Sequence, residues 1–174
     1  MNMQIELISA SELADESFNI VINDLKPIET YRVEMFLSDY YCINPPMRLA
    51  HDVLWKSTAT FVSDTNGIIN ISQTPSCSGS YEGISTMGLF FNAKPLTNKR
   101  KKLPNSLSKI PLLDHFFVGI KIMQGNTVIA ERTFTRHYMS SQISHQDIYG
   151  KHFQGRLFYD KKAIKTPSID YCER

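Results

Sequence analysis

Two residues could act as nucleophiles, Cys77 just before a glycine-rich stretch and Ser80 within it. The stretch spans residues 79–91 and has the sequence GSYEGISTMGLFF. A serine hydrolase of the α/β type needs the spacing Gly-x-Ser-x-Gly, because its nucleophile occupies a strained strand-to-helix turn. Here Ser80 follows Gly79 directly, so the spacing is wrong, and no helix is predicted after it. The sequence therefore does not predict a nucleophile elbow.

Cys77 is the more tempting nucleophile, since a cysteine needs only a histidine that the fold brings close to it. Nothing in the spacing of the histidines assigns one of them to Cys77. We therefore predict no catalytic residue in this chain, and a divergent hydrolase that uses Cys77 or Ser80 stays as an alternative hypothesis. The five histidines are His51, His115, His137, His145 and His152.

Metal and phosphate sites are not indicated either. A structural zinc site needs four close ligands and a catalytic site three, whereas only His145 and Asp147 stand at a short, regular spacing. The glycines at 79, 83 and 88 match neither phosphate-loop pattern, and no lysine follows in the required place. We predict no metal ion and no cofactor.

A cationic run could contact nucleic acid or another anionic ligand. It consists of Lys99, Arg100, Lys101 and Lys102, has no interleaved aromatic residue, and lies in a chain of net charge +2. A solvated loop is the simpler interpretation. Residues 94–109 are accordingly predicted to form a long exposed connection, and no nucleic-acid partner is expected.

The elements that position these residues alternate between apolar and polar residues with a period of two, the pattern of strands with one buried face. Turn formers separate them, notably Asn66-Gly67 and Gly125-Asn126, which supply the positive φ angles of tight turns. Four of the sets that share a mainly apolar face are Phe18, Ile20 and Ile22; Tyr31, Val33, Met35 and Leu37; Trp55, Ser57, Ala59 and Phe61; and Phe116, Val118, Ile120 and Ile122.

Six or more such strands must pair face to face, which predicts an all-β fold, an immunoglobulin-like β-sandwich over residues 1–136 with Trp55 in its core. The only helical turn predicted lies at residues 9–16. Residues 137–150 are polar and predict a linker. A further strand at 152–159 opens a segment, 151–174, that looks like the start of another domain.

Composition sets the compartment that we expect. The 174 residues are 42% hydrophobic and 21% charged, as in soluble globular proteins. No apolar run is long enough to span a bilayer, and the acidic N-terminus does not resemble an export signal. The three cysteines, Cys42, Cys77 and Cys172, are few and widely spaced. They predict free thiols in a reducing compartment, which by default is the cytoplasm.

Several blocks in chain order resemble the N-terminal domain of the acyl-CoA thioesterase and bile-acid-CoA:amino-acid N-acyltransferase family. They are WKSTATF at 55–61, residues 64–71, GSY at 79–81 and MGLF at 87–90. Residues 14–22 and 130–134 also resemble that domain, so the similarity covers roughly residues 7–158, with a poor fit over 92–113.

The resemblance implies a two-domain enzyme with an immunoglobulin-like N-terminal domain and a catalytic α/β-hydrolase domain that carries a serine or cysteine nucleophile, an aspartate and a histidine. The family cleaves acyl-CoA thioesters or transfers the acyl group to an amino acid, and both reactions stay open. Residues 153–159 resemble the opening strand of the hydrolase domain, after which the chain stops. We therefore expect a truncated chain without catalytic residues, inactive alone.

The resemblance also suggests a role for the chain and its partners. It would pack on the missing hydrolase domain and shape the entrance for acyl-CoA, which would bind at the domain interface. In this interpretation Tyr81, Leu89 and Phe90 anchor the irregular stretch 79–91 to the sandwich or to that interface. The alternative hypothesis is a stand-alone β-sandwich binding module that uses the cationic loop as its contact surface.

Overall fold

The computed structural model describes residues 3–38, 40, 53–97 and 114–162. These residues form eleven strands and one helical turn, and their contacts divide them into two units, one up to Tyr138 and one from Met139 onward. The strands are β1 Gln4–Ser9, β2 Phe18–Asn23, β3 Thr30–Ser38, β4 Trp55–Val62, β5 Ile69–Asn70, β6 Ser78–Gly79, β7 Lys94–Pro95, β8 His115–Gln124, β9 Thr127–His137, β10 Ile143–Tyr149 and β11 Gln154–Asp160, and the helical turn is α1 Gly88–Phe91.

The first unit is a sandwich of two antiparallel sheets. The smaller sheet has the strand order β1-β2-β5. The larger sheet has the order β6-β4-β3-β8-β9, and β7 also pairs with β4. Buried side chains from both sheets form a single hydrophobic cluster. The prediction of an all-β sandwich is therefore confirmed.

The core is built from the alternating residues that the sequence indicates. All four sets named above are buried, and Trp55, with 7% of its surface exposed, lies among them. Each set comes from one strand of the two sheets, so successive side chains point alternately into the core and towards solvent. The placement of Trp55 in the core is confirmed.

The two predicted turns differ in what they connect. Gly125-Asn126 closes a hairpin in which Gln124 pairs with Thr127, as expected. Gly67 has the expected positive φ of 72°, but β4 and β5, on either side of it, lie in different sheets. This turn therefore carries the chain from one layer of the sandwich to the other.

Residues 9–16, the one segment that we expected to be able to form a helical turn, do not form one, and the helical turn among the described residues is α1 instead. The segment runs parallel to the end of β9, where the N–H of His137 donates to the carbonyl of Glu12 and the N–H of Ala14 donates to the carbonyl of His137, both at 2.8 Å. A strand end offers these backbone partners, and they satisfy the segment without a helix. The long exposed connection predicted at residues 94–109 starts with a short strand, since β7 pairs Lys94 with Lys56 and Pro95 with Trp55. Lys94 is exposed, and residues 98–109 lie outside the described residues.

The second unit contains the antiparallel hairpin of β10 and β11. The strand predicted at 152–159 is present as β11, but residues 137–150, where a linker was expected, include β10. The polar composition of β10 hides it from a search for apolar alternation. Directly paired Asp147 and Arg156 form a two-point contact, with distances of 2.6 and 3.2 Å, and this hydrogen-bonded pair lowers the pKa of Asp147. The division of the chain into domains here, and the likeness to a hydrolase strand, stay predictions.

Candidate functional site

Both candidate nucleophiles lie in a segment that hydrogen-bonds to β4 at the edge of the larger sheet. The hydroxyl of Ser80 accepts the N–H of Thr58 at 3.0 Å, and the N–H of Ser80 donates to the carbonyl of Thr58 at 2.7 Å. The N–H of Cys77 donates to the carbonyl of Thr60 at 2.8 Å, and its thiol is free and exposed. None of their hydrogen bonds within the described residues involves a histidine. These contacts extend the pairing of β6 with β4 and do not assemble a catalytic pair.

The glycine-rich stretch begins with a closed loop. Ser76 and Gly83 exchange two backbone hydrogen bonds of 2.9 Å, and the Ser76 hydroxyl lies 2.9 Å from the carbonyl oxygen of Tyr81. The ring of Tyr81 then covers Gly88, where an added Cβ would come within 2.5 Å of the ring. Gly88 is therefore required for the close approach of Tyr81.

The single turn of α1 anchors the stretch to the sandwich. Leu89 is buried with 2% of its surface exposed. The ring of Phe90 makes edge contacts with Phe18 on β2 and with Tyr40, at centroid distances of 5.9 and 5.6 Å, and it also packs against Phe116 on β8. The stretch thus ties the two sheets together, which agrees with the interpretation of Tyr81, Leu89 and Phe90 as anchors.

The half-buried ring of Tyr81 leads to a testable pH dependence. Burial raises the pKa of Tyr81 from 10.0 to about 12, so between these values the unfolded chain loses the phenolic proton while the folded chain keeps it. The contribution of Tyr81 is complete below pH 10 and is lost as the pH rises towards 12. We expect Tyr81→Phe to lose less stability than wild type between about pH 9 and about pH 11 in urea unfolding. Equal losses would contradict this assignment.

Arg136 is a buried charge in the described part of the chain, with 1% of its surface exposed. One terminal nitrogen donates to the Ser9 hydroxyl at 2.9 Å and to the Ser11 carbonyl at 2.8 Å. The other donates to the carbonyls of Glu16, at 2.6 Å, and Leu13. Burial lowers the pKa of Arg136. The guanidinium therefore fixes the whole segment between β1 and β2 against the end of β9.

A cavity of about 350 Å³ lies beside this arginine. All four N–H groups on the terminal nitrogens of Arg136 have acceptors, and its Nε is buried without a partner. The cavity is thus next to a guanidinium group whose terminal N–H groups already donate to protein acceptors. We therefore assign Arg136 a structural role. The lining residues are Leu7, Ser9, Ala10, Ser11, Glu12, Phe134, Thr135 and Arg136.

Two of the five histidines meet on the larger sheet. His115 at the start of β8 pairs directly with His137 at the end of β9, and their ring centroids are 6.0 Å apart. Nδ1 of His115 lies 2.5 Å from Oδ1 of Asp114, a contact that lowers the pKa of Asp114. Sequence spacing missed this pair because a whole hairpin separates the two residues.

The other candidates lie apart from this pair in the sequence or outside the described residues. His145 is on β10 and His152 precedes β11, both in the second unit. The cationic run at 99–102, His51, Cys42 and Cys172 fall outside the described residues. Within the described ranges, no group of three or more His, Cys, Asp or Glu could hold a metal ion. Those ranges also include no helix that is long and apolar enough to cross a membrane.

Comparison with known proteins gives the family. Residues 15–149 match the Acyl-CoA thioester hydrolase/BAAT N-terminal region. The chain is 26% identical over 112 residues to acyl-coenzyme A amino acid N-acyltransferase 2 of Mus musculus, a match that covers 63% of this chain and 24% of that protein. It is 28% identical over 95 residues to acyl-coenzyme A amino acid N-acyltransferase 1 of Mus musculus, covering 53% and 20% respectively.

These matches span about a quarter or less of the curated relatives. The family match, in contrast, extends over most of this chain and includes the two-sheet unit apart from β1, together with β10. The chain therefore belongs to the family of the acyl-CoA thioester hydrolase/BAAT N-terminal region.

Proposed function

We propose that this chain is a non-catalytic, immunoglobulin-like domain that packs on an α/β-hydrolase domain and helps to shape its acyl-CoA entrance. The observation that carries the proposal is the family match over residues 15–149, together with matches that cover a quarter or less of the curated relatives. The parent activity would be hydrolysis of an acyl-CoA thioester or transfer of the acyl group to an amino acid.

The engagement of the candidate nucleophiles supports a non-catalytic role. The backbone of Cys77 and both the backbone and hydroxyl of Ser80 bond to β4, so the segment maintains a sheet edge. A catalytic serine needs a base within hydrogen-bond reach, whereas the hydroxyl of Ser80 accepts a backbone N–H. The exposed, free thiol of Cys77 suits a reducing compartment such as the cytoplasm.

Exposed aromatic residues support a protein partner. In the second unit, Tyr149, Phe153 and Phe158 each expose more than half of their surface, at 55%, 57% and 51%. A two-stranded hairpin on its own is marginally stable in water, and clustered apolar exposure is typical of interaction surfaces. We propose that this hairpin contributes to the contact with the hydrolase domain.

The first test is catalytic. We expect the purified chain to release no thiol from a long-chain acyl-CoA above the blank, with or without an amino acid acceptor, because neither Cys77 nor Ser80 hydrogen-bonds to a histidine among the described residues. Thiol release that disappears in either Cys77→Ala or Ser80→Ala would contradict the non-catalytic role and identify the nucleophile. Release that survives both changes would also contradict it and would point to another nucleophile.

The second test is physical association. The part of mouse acyl-coenzyme A amino acid N-acyltransferase 2 that has no counterpart in this chain would be expressed separately and mixed with it. We expect a complex by analytical ultracentrifugation, weakened in the double variant Phe153→Ser, Phe158→Ser. The control is the mouse protein's own N-terminal region. If that region binds and this chain does not, the packing role is wrong.

A further inference from the structure

We propose that His115 and His137 bind a divalent transition-metal ion, such as Ni²⁺ or Zn²⁺, on the solvent face of the larger sheet. Directly paired residues on adjacent antiparallel strands point to the same face. The next residues inward, Phe116 and Arg136, form the neighbouring pair and are buried. Because successive side chains alternate between faces, both imidazoles project away from the core.

The distance between the rings suits one shared ion. Their centroids are 6.0 Å apart and their planes are inclined by 58°. Two imidazoles on one tetrahedral ion, with metal–nitrogen distances of about 2.0–2.1 Å, have centres roughly 5 Å apart. About 40% of each side chain is exposed, 38% for His115 and 40% for His137. A small rotation of the partly exposed His137 ring towards His115 can therefore close the gap.

Two carboxylates prepare the pair for a cation. Asp114 is bound to Nδ1 of His115 at 2.5 Å, which leaves Nε2 as the ligand atom and fixes the ring, as carboxylates do behind many metal-bound histidines. The Glu12 carboxylate lies 3.9 Å from Nε2 of His137. The backbone bond from the His137 N–H to the Glu12 carbonyl, at 2.8 Å, holds Glu12 beside the ring. The local charge thus favours a bound cation.

The class of ion follows from the ligands. Imidazole suits Zn²⁺, Cu²⁺ and Ni²⁺, whereas Mg²⁺ and Ca²⁺ prefer oxygen. Two histidines leave the remaining positions to water, which accords with the lack of a three-residue group among the described residues. The ion would join the first residue of β8 to the last of β9, so its binding would stabilise the folded chain.

Ni²⁺ is the probe of choice, since it prefers imidazole and avoids ambiguity with the cysteine thiols. The untagged chain would be titrated with Ni²⁺ by calorimetry. We expect one ion per chain, a loss of affinity of at least about tenfold in His115→Asn and in His137→Asn, and about tenfold in Asp114→Asn. His152→Asn is the matched control and should bind as wild type does. Ni²⁺ should raise the unfolding temperature of wild type but not of His115→Asn.

A second measurement needs no variant. Ni²⁺ should protect His115 and His137 of the wild-type chain from diethylpyrocarbonate, followed by peptide mass spectrometry, and should leave the labelling of His152 unchanged. The proposal is overturned if wild type binds no Ni²⁺ at millimolar concentration, if both histidine variants bind as wild type does, or if Ni²⁺ protects all three histidines equally.

Discussion

Arg136→Ala is expected to destabilise the chain by about 4 kcal/mol, because each hydrogen bond that is lost costs about 1 kcal/mol net. The substitution removes the donor to four acceptors, the Ser9 hydroxyl and the carbonyls of Ser11, Leu13 and Glu16. Domains of this size are stable by about 5–15 kcal/mol, so the loss would be a large part of the total.

Urea unfolding of wild type and variants measures this loss. The stability of Arg136→Lys should lie between those of wild type and Arg136→Ala, since an ammonium group keeps the charge but lacks the planar set of donors. Arg132→Ala is the matched control from the same strand, where the side chain makes one backbone bond, to the Ile5 carbonyl at 2.7 Å, and covers the Phe134 ring. We expect Arg132→Ala to destabilise the chain by about 1 kcal/mol. If Arg136→Ala costs no more stability than Arg132→Ala, Arg136 does not have the structural role of holding the segment between β1 and β2.

The burial of Arg136 shows where sequence-based prediction stops. The turn at Gly125-Asn126 predicts the hairpin of β8 and β9, and a regular ladder from that turn would place His115 opposite Arg136. The structure has a register shift between Ile122 and Met123. Beyond it, Phe116 pairs with Arg136 and His115 pairs with His137.

That one-residue shift has two consequences. A slip of one residue exchanges the faces on which side chains lie. Here it turns Arg136 inward, towards the segment that it holds, and places both histidines outward as a pair. Nothing in the local sequence signals the bulge, so neither the buried charge nor the histidine pair could be predicted, although the strands and their core residues could.

The same limit applies to residues 9–16 and to β10. Both are polar. Residues 9–16 find their backbone partners on the distant strand β9. The strand β10 finds them on β11, in a hairpin where β10 has no buried residue. A period of two records burial and not hydrogen bonding. The four apolar sets were therefore predictable, whereas the parallel contact of Leu13 with His137 and the strand β10 were not.

The glycine-rich stretch is expected to depend most strongly on Gly79. This residue has φ of 124°, and an added Cβ would lie 2.3 Å from the carbonyl oxygen of Thr58 and 2.8 Å from Cα of Ala59. Both are backbone atoms of β4, so the edge must separate. The positive φ costs about 1–2 kcal/mol for a residue with a Cβ, and each backbone bond lost costs about 1 kcal/mol more. We expect Gly79→Ala to lose about 3 kcal/mol in urea unfolding.

Gly83→Ala separates the two causes. Gly83 also has a positive φ, of 82°, but an added Cβ would meet nothing within 4 Å, so this change should cost only the conformational part, about 1 kcal/mol. Amide exchange provides a second readout, since Gly79→Ala should expose the N–H groups of Thr58 and Ser80, which are bonded across the edge. Gly83→Ala should leave them protected. If the two variants lose equal stability and exchange alike, close contact with β4 is not what requires glycine at position 79.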